Sequence, residues 1–228
     1  MTTTDAAARQ ELHRLAAHVL ARRRHVVTDR FGLRPAPGGL ATPPFGDGEV
    51  IRVSGGVLVV ERDGDVRAEP VTTLARAAAL VSVDLAEEFS VGKETPPLGD
   101  PGGRLALDAA VTRRLGAWWG LGAEVLDDLV ATTPALTGAT AAQLWPEHFD
   151  LACTVVVEGG ARANVGASAG DGFEPAPYLY VGPIGPERPG DPSYWNAPFG
   201  AVLRRDEVDG RAEALAFLRT GIDRLAGD

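Results

Sequence analysis

The sequence predicts an α+β protein with mainly antiparallel sheet. Strand-like and helix-like segments are segregated along the chain and do not alternate as βα units. Apolar strands are separated by the dipeptides Gly55-Gly56 and Asp63-Gly64, which suit two-residue hairpin turns. Other stretches carry apolar residues at helical spacing, enough for about five to six helices.

Taken in order, residues 5–27 read as an amphipathic helix, with Leu12, Leu15, Ala16, Val19 and Leu20 on one stripe. His13 and His18 fall off that stripe and are expected to face solvent. Arg22-Arg23-Arg24-His25 falls where this helix should end. Cations there complement the negative end of the helix dipole, and the alternative reading is an anion site. GLRPAPGGLATPPFGDG, rich in proline and glycine, is expected to be irregular. Residues 49–69 form a three-stranded meander, EVIRVS, VLVVER and DVRAE. TTLARAAALVSV follows as a helix capped by Thr72 or Thr73. After ETPPLGDPGG, a linker-like stretch, Asp100-Pro101 opens a helix carrying Leu105, Val111, Leu115 and Trp118. A separate helix with Val125, Leu126, Leu129 and Val130 stops before Pro134. In LWPEHFDLA, Pro146 drives Trp145 out of the α region, and the strand FDLACTVVVE begins. A final helix over residues 209–226 buries Leu215, Leu218, Ile222 and Leu225. The chain divides into an N-terminal region, 1–91, and a C-terminal region, 104–228, or folds as one compact domain.

FDLACTVVVE and RANVGAS should pair as a C-terminal hairpin. A two-residue Gly159-Gly160 loop sets Val155 against Asn164. A three-residue loop, Gly159 to Ala161, sets Val155 against Val165, Val156 against Asn164, Val157 against Ala163 and Cys153 against Ala167. Only the second leaves one face wholly apolar, and a one-residue slip would turn every side chain over, so the second is expected. Glu158 then faces Arg162, and Cys153 is a core residue. The other face carries His148, Asp150, Thr154, Asn164 and Ser168, with Asp150 opposite Gly170 and beside Asp171. Tyr178 and Tyr180 alternate along PYLYVG, and Trp195 and Asn196 could wall the same region. In LWPEHFDLA itself, Trp145 and Phe149 should be buried, with His148 and Asp150 together on the opposite side.

Composition narrows the function classes. A chain of 228 residues, 45% hydrophobic, can build one sizeable core or two small ones. A net charge of −9 argues against nucleic acid or an anionic membrane as partner. The start Met-Thr-Thr-Thr-Asp has no basic segment followed by an apolar one, and no apolar run could span a bilayer, so a cytoplasmic location is expected. Cys153 is the only cysteine, which excludes an internal disulfide or a thiolate-rich metal site. Lys93 is the only lysine, so 21 of the 22 basic residues are arginine.

GASAG, Gly166 to Gly170, matches the G-x-S-x-G elbow only in form. The prolines of DGFEPAPYLY forbid the helix that should follow Ser168, and no histidine lies beyond His148. His148, Asp150 and Asp171, with Glu147, could hold a divalent metal, but the spacing matches no strong signature. In the plainer reading His148 bonds a neighbouring carboxylate and the two aspartates cap turns. There is no P-loop and no G-x-G-x-x-G after a strand, so no organic cofactor is predicted.

The blocks LWPEHFDLA, SAGDGFEPAPYLYVGP and YWNAPFGAVL together resemble an uncharacterised bacterial family with similar WP-x-HFD, S-x-GD and EPY-x-YV blocks. The resemblance covers roughly residues 143–220 and implies no activity. It singles out His148, Asp150, Ser168, Gly170, Asp171, Tyr178 and Tyr180. The expected function is binding of a small polar molecule at His148, Asp150, Asn164, Ser168, Asp171, Tyr178, Tyr180, Trp195 and Asn196. The alternatives are a metal-assisted or acid–base hydrolase using His148 with Asp150 and Asp171, and a homodimeric interaction module; the binder itself could be monomer or homodimer.

Overall fold

The computed structural model describes residues 3–227. It shows an α+β fold with two antiparallel sheets, and it clusters into two compact units. The first unit runs up to Ala117 and includes Leu144–Phe149; the second is made of Trp118–Gln143 and the chain from Asp150. The segment 92–103, read as a linker, lies wholly inside the first unit. Among the described residues no helix is long and apolar enough to cross a membrane.

The first unit opens with a continuous helical rod. α1 (Thr3–Leu15) passes through a π-helical segment, Ala16–Ala21, into α2 (Arg22–Thr28). The expected stripe is buried, but so is every residue of the π segment. The wider π turn shifts the inward face by part of a turn, and His18, expected in solvent, is buried. His13 is half-buried and stacks on Phe149. Asp29, in the left-handed conformation, ends the rod by donating its N–H to the His25 carbonyl at 2.8 Å.

The expected meander is present as β3 (Val50–Ser54), β4 (Val57–Arg62) and β5 (Asp65–Pro70), joined by the two predicted turns. Two further strands precede it, β1 (Arg34–Ala36) and β2 (Gly39–Ala41), giving the order β1-β2-β3-β4-β5. They occupy the stretch expected to be irregular. Pro37-Gly38 forms their two-residue turn, with proline fixing one φ and Gly38 taking φ 82°. α3 (Leu74–Leu80) is capped as expected by Thr73, whose hydroxyl accepts the Arg76 N–H at 3.1 Å.

The two helices expected over residues 100–130 are one, α4 (Ala109–Thr132). Its cap is Asp108, whose Oδ1 accepts the N–H groups of Ala110 and Val111, while Asp100 closes a turn on Gly102. Glycines within the helix each cost about 1 kcal/mol of propensity. Close packing explains two of them. A Cβ on Gly116 would sit 2.5–2.8 Å from the Gly39 backbone, and one on Gly122 would sit 2.7 Å from Ala167. Counting the rod as one, the described residues hold four helices, not five to six.

In the second unit the sheet path is β11-β10-β9-β8-β6, formed by β6 (Leu136–Ala139), β8 (Asp150–Val157), β9 (Arg162–Ser168), β10 (Tyr178–Pro183) and β11 (Ala201–Arg204), with β7 (Gln143–Trp145) between β6 and β8 in sequence. α5 (Arg211–Ala226) buries Leu218 and Ile222 as expected, whereas Leu215 and Leu225, expected on the same face, are half-buried. The hairpin register differs from expectation by two residues. Cys153 pairs with Val165, Thr154 with Asn164, Val155 with Ala163 and Val156 with Arg162. Asp150 faces Ser168, not Gly170. The loop does have three residues, but they are Glu158, Gly159 and Gly160, because the Val157 N–H donates to the Ala161 carbonyl at 2.8 Å and closes the hairpin there. Gly159 and Gly160 both take positive φ, near 81° and 88°, whereas Ala161 is extended. The loop is therefore placed where glycine, and not alanine, can fill its left-handed positions. A two-residue shift keeps every side chain on its face, so the apolar face, including buried Cys153, is as expected.

Candidate functional site

LWPEHFDLA resolves into strand end, turn and strand start. Leu144 bridges Leu33 through two 2.8 Å bonds, and the Phe149 N–H closes the turn on the Trp145 carbonyl at 2.8 Å. Phe149 is buried with φ 55°, unusual for so large a side chain, and Trp145 is half-buried. Alternation starts only at Asp150, because a left-handed residue breaks the strand phase just before it. His148 therefore belongs to the turn. It is exposed, and its Nδ1 lies 3.1 Å from Glu94 Oε2 and its Nε2 3.8 Å from Glu147 Oε2. Glu147 Oε1 also accepts the Lys93 N–H at 2.6 Å. The half-buried ring of His13 stacks 4.5 Å from Phe149, at 9° between planes, and its Nε2 lies 2.7 Å from the Pro146 carbonyl. Burial pulls the His13 pKa down to about 4, against the opposing effect of that hydrogen bond. A neutral imidazole with its proton on Nε2 satisfies this geometry.

The second unit gathers the other candidates on the even-numbered face of its sheet. Asp150 and Ser168 are cross-strand partners, as are Ser168 and Tyr178. The Tyr178 hydroxyl donates to Asp171 Oδ2 at 2.6 Å, and the Tyr180 hydroxyl donates to Asp150 Oδ2. Asp150, Ser168 and Tyr178 are buried. Asp171 Oδ1 accepts the N–H groups of Phe173 and Glu174, so this carboxylate both caps a turn and holds a phenol. Burial, reinforced by these carboxylates, drives both tyrosine pKa values up, and the phenols stay protonated donors. Gly166 makes the arrangement possible. A Cβ there would lie 2.9 Å from the Tyr180 ring and 2.4 Å from the Leu151 carbonyl oxygen, so the bare backbone lets the ring lie across the strand.

GASAG is therefore strand and turn. Ser168 ends β9, its Oγ accepts the Gly170 N–H at 3.0 Å, and residues 171–177 form a loop, as the prolines required. The Trp118 indole N–H donates to the Ser168 carbonyl at 2.8 Å. Asn164 accepts a 2.8 Å bond from the Thr154 hydroxyl. Trp195 donates its ring N–H to the Pro189 carbonyl, and Asn196 bonds both polar groups of Val202, so both are held by bonds of their own. Among the described residues no group of three or more histidine, cysteine or acidic side chains is placed to hold a metal ion. The Cys153 thiol is pushed up to about 11, mainly by burial, and stays a thiol near neutral pH.

Sequence reasoning missed three features of these sites. Phe173 and Phe199 meet edge-on at 5.2 Å and both pack against the Tyr178 ring. Arg204 clamps Glu174 at 2.5 Å beside them. Glu94 is the partner of His148 across 54 residues, a contact for which no local pattern exists. The aromatic blocks around FEPAPYLY and APFG did carry a signal for the first. Comparison of the chain with protein-family models, with curated proteins and with solved structures finds no match.

Proposed function

We propose that this protein binds a small polar molecule on the tyrosine–aspartate face of its second unit, as a binder and not a catalyst. Support comes from two acid–phenol pairs, Tyr178–Asp171 and Tyr180–Asp150, set side by side, their rings 6.2 Å apart. Phe173 and Phe199 are exposed, at 47% and 37%, against the same rings. A ligand bearing hydroxyl or ammonium donors can replace a phenol on a carboxylate while its apolar side covers the phenylalanines. The chemistry present favours binding over turnover. Both phenols hold their protons, and Ser168 Oγ accepts the Gly170 N–H, with no described hydrogen bond from its hydroxyl to a histidine.

An amide-resolved NMR titration with a panel of small sugars, polyols and primary amines tests this. The expected result is saturable shifts centred on Ser168, Asp171, Tyr178 and Tyr180, weakened at least about five-fold by Asp171→Asn, which removes the charge that the ligand's donor meets. Shifts centred elsewhere, or none from any member of the panel, overturn it. A stoichiometric divalent ion in the purified protein, released together with a hydrolytic activity that needs His148, would establish the enzyme reading instead.

A further inference from the structure

We infer that the first unit carries a separate anion site built on Arg22, which takes a small carboxylate with an apolar body. The run Arg22-Arg23-Arg24-His25 is divided by the fold. Arg23 forks onto Glu49, with bonds of 2.9 and 3.1 Å, and Arg62 clamps the same carboxylate from another side. Arg24 donates to the Gly32 carbonyl, and His25 lies 3.5 Å from Asp29. Arg22 is different. It is 3% exposed, it begins the α-helical turn that follows the π segment, and its described hydrogen bond runs from Nη2 to a neutral acceptor, the Glu87 carbonyl, at 2.8 Å. Its guanidinium lies 5.2 Å from the centre of the Phe89 ring. Among the described residues it forms no ion pair, while Arg23 and Arg62 share one carboxylate between them. A guanidinium has five N–H donors, and a buried cation is costly unless a counter-charge meets it.

The space for that counter-charge adjoins the same side chain. A pocket of about 640 Å³ is lined by Arg22, His18, Leu85, Phe89, Pro97 and Leu98, among others. Leu85, Phe89, Pro97 and Leu98 give it an apolar side beside its polar groups, so the ligand takes an apolar body as well as a charged head. A planar guanidinium favours a planar carboxylate, which it can hold through two parallel bonds. The far wall is braced by the chain itself: His18 Nε2 lies 2.7 Å from the Pro96 carbonyl, and Arg14 Nη2 reaches the Leu98 carbonyl at 2.5 Å. Arg14 is neutralised by Glu11, so it does not compete for the ligand. Glu87 and Glu88 stand on the rim with exposed side chains, where solvent and salt screen their repulsion. This site is independent of the tyrosine–aspartate face in residues and in ligand charge.

The full chain titrated with hexanoate, hexan-1-ol and hexylamine at millimolar concentrations tests the inference. Hexanoate should bind, with shifts at Phe89 and Leu98, at least ten-fold more tightly than either of the others. Arg22→Gln should abolish that preference, and Tyr180→Phe should leave it intact. Equal binding of hexan-1-ol, absence of hexanoate binding, or a carboxylate preference that survives Arg22→Gln overturns the site. The comparison of three ligands on the unaltered protein stands even where Arg22→Gln does not fold. Loss of binding in Tyr180→Phe would move hexanoate to the second unit and overturn it too.

Discussion

Tyr180 shows how much one hydroxyl can carry. Its ring crosses bare backbone at Gly166, and its O–H ends on the buried carboxylate of Asp150. Tyr180→Phe keeps the ring and removes the donor, leaving an acceptor oxygen in a buried place. The expected loss is about 1–3 kcal/mol in chemical denaturation. Asp150→Ala in the same background should cost less than it does alone, since the two share one interaction. The tyrosines and aspartates were legible as candidates because alternation along PYLYVG put Tyr178 and Tyr180 on one face. Their pairing was not, because Tyr180 reaches Asp150 diagonally between strands and Asp171 meets Tyr178 from the loop that follows β9. His148 was legible as a polar residue of interest, but its partner Glu94 is a matter of tertiary folding alone.

Among the elements, turn chemistry decided what could be read. Gly55-Gly56 and Asp63-Gly64 announced their hairpins because positive φ is cheap there. Pro37-Gly38 carries an equally clear type II signature, masked by the surrounding prolines and glycines. The C-terminal hairpin was read with the correct faces and loop length but with the loop one residue late. Gly160→Ala, at φ 88°, should therefore destabilise by about 1–2 kcal/mol. Ala161→Gly should do little by comparison, since Ala161 is extended. The reverse ranking in thermal denaturation would restore the register in which Ala161 belongs to the loop. α4 replaces the two helices expected from the sequence and runs unbroken through Gly116, Gly120 and Gly122. At Gly116 and Gly122 the reason for glycine is the closeness of a neighbour, which no single-chain propensity expresses.

For the whole molecule, acid should be the condition that unfolds it. The folded state holds His13 at a pKa of about 4, and burial lowers His18 as well. Both take up protons readily once unfolded, near the ordinary value of 6.5. Between those values the unfolded chain binds more protons, so stability rises with pH. The contribution is fully present above about pH 6.5 and is lost as pH falls toward 4. Melting temperatures measured across this window should drop on acidification, and less steeply in His13→Gln. An unchanged slope in that variant would show that His13 is not held neutral by the fold.

The joint in LWPEHFDLA has one more consequence. Phe149 sits in a backbone conformation that costs a large side chain roughly 1–3 kcal/mol, and its ring lies flat on His13. Local frustration is thus opposed by a contact from a helix 136 positions earlier in the chain, counted from 149 to 13. Glycine at 149 should weaken the wild-type protein, because the lost ring outweighs the relieved dihedral. In a His13→Ala background the balance shifts toward the dihedral, and the same substitution should cost less or even stabilise. A double-mutant cycle that proved additive would mean that the two rings are neighbours without being coupled, and that the joint could form before the helix had found it.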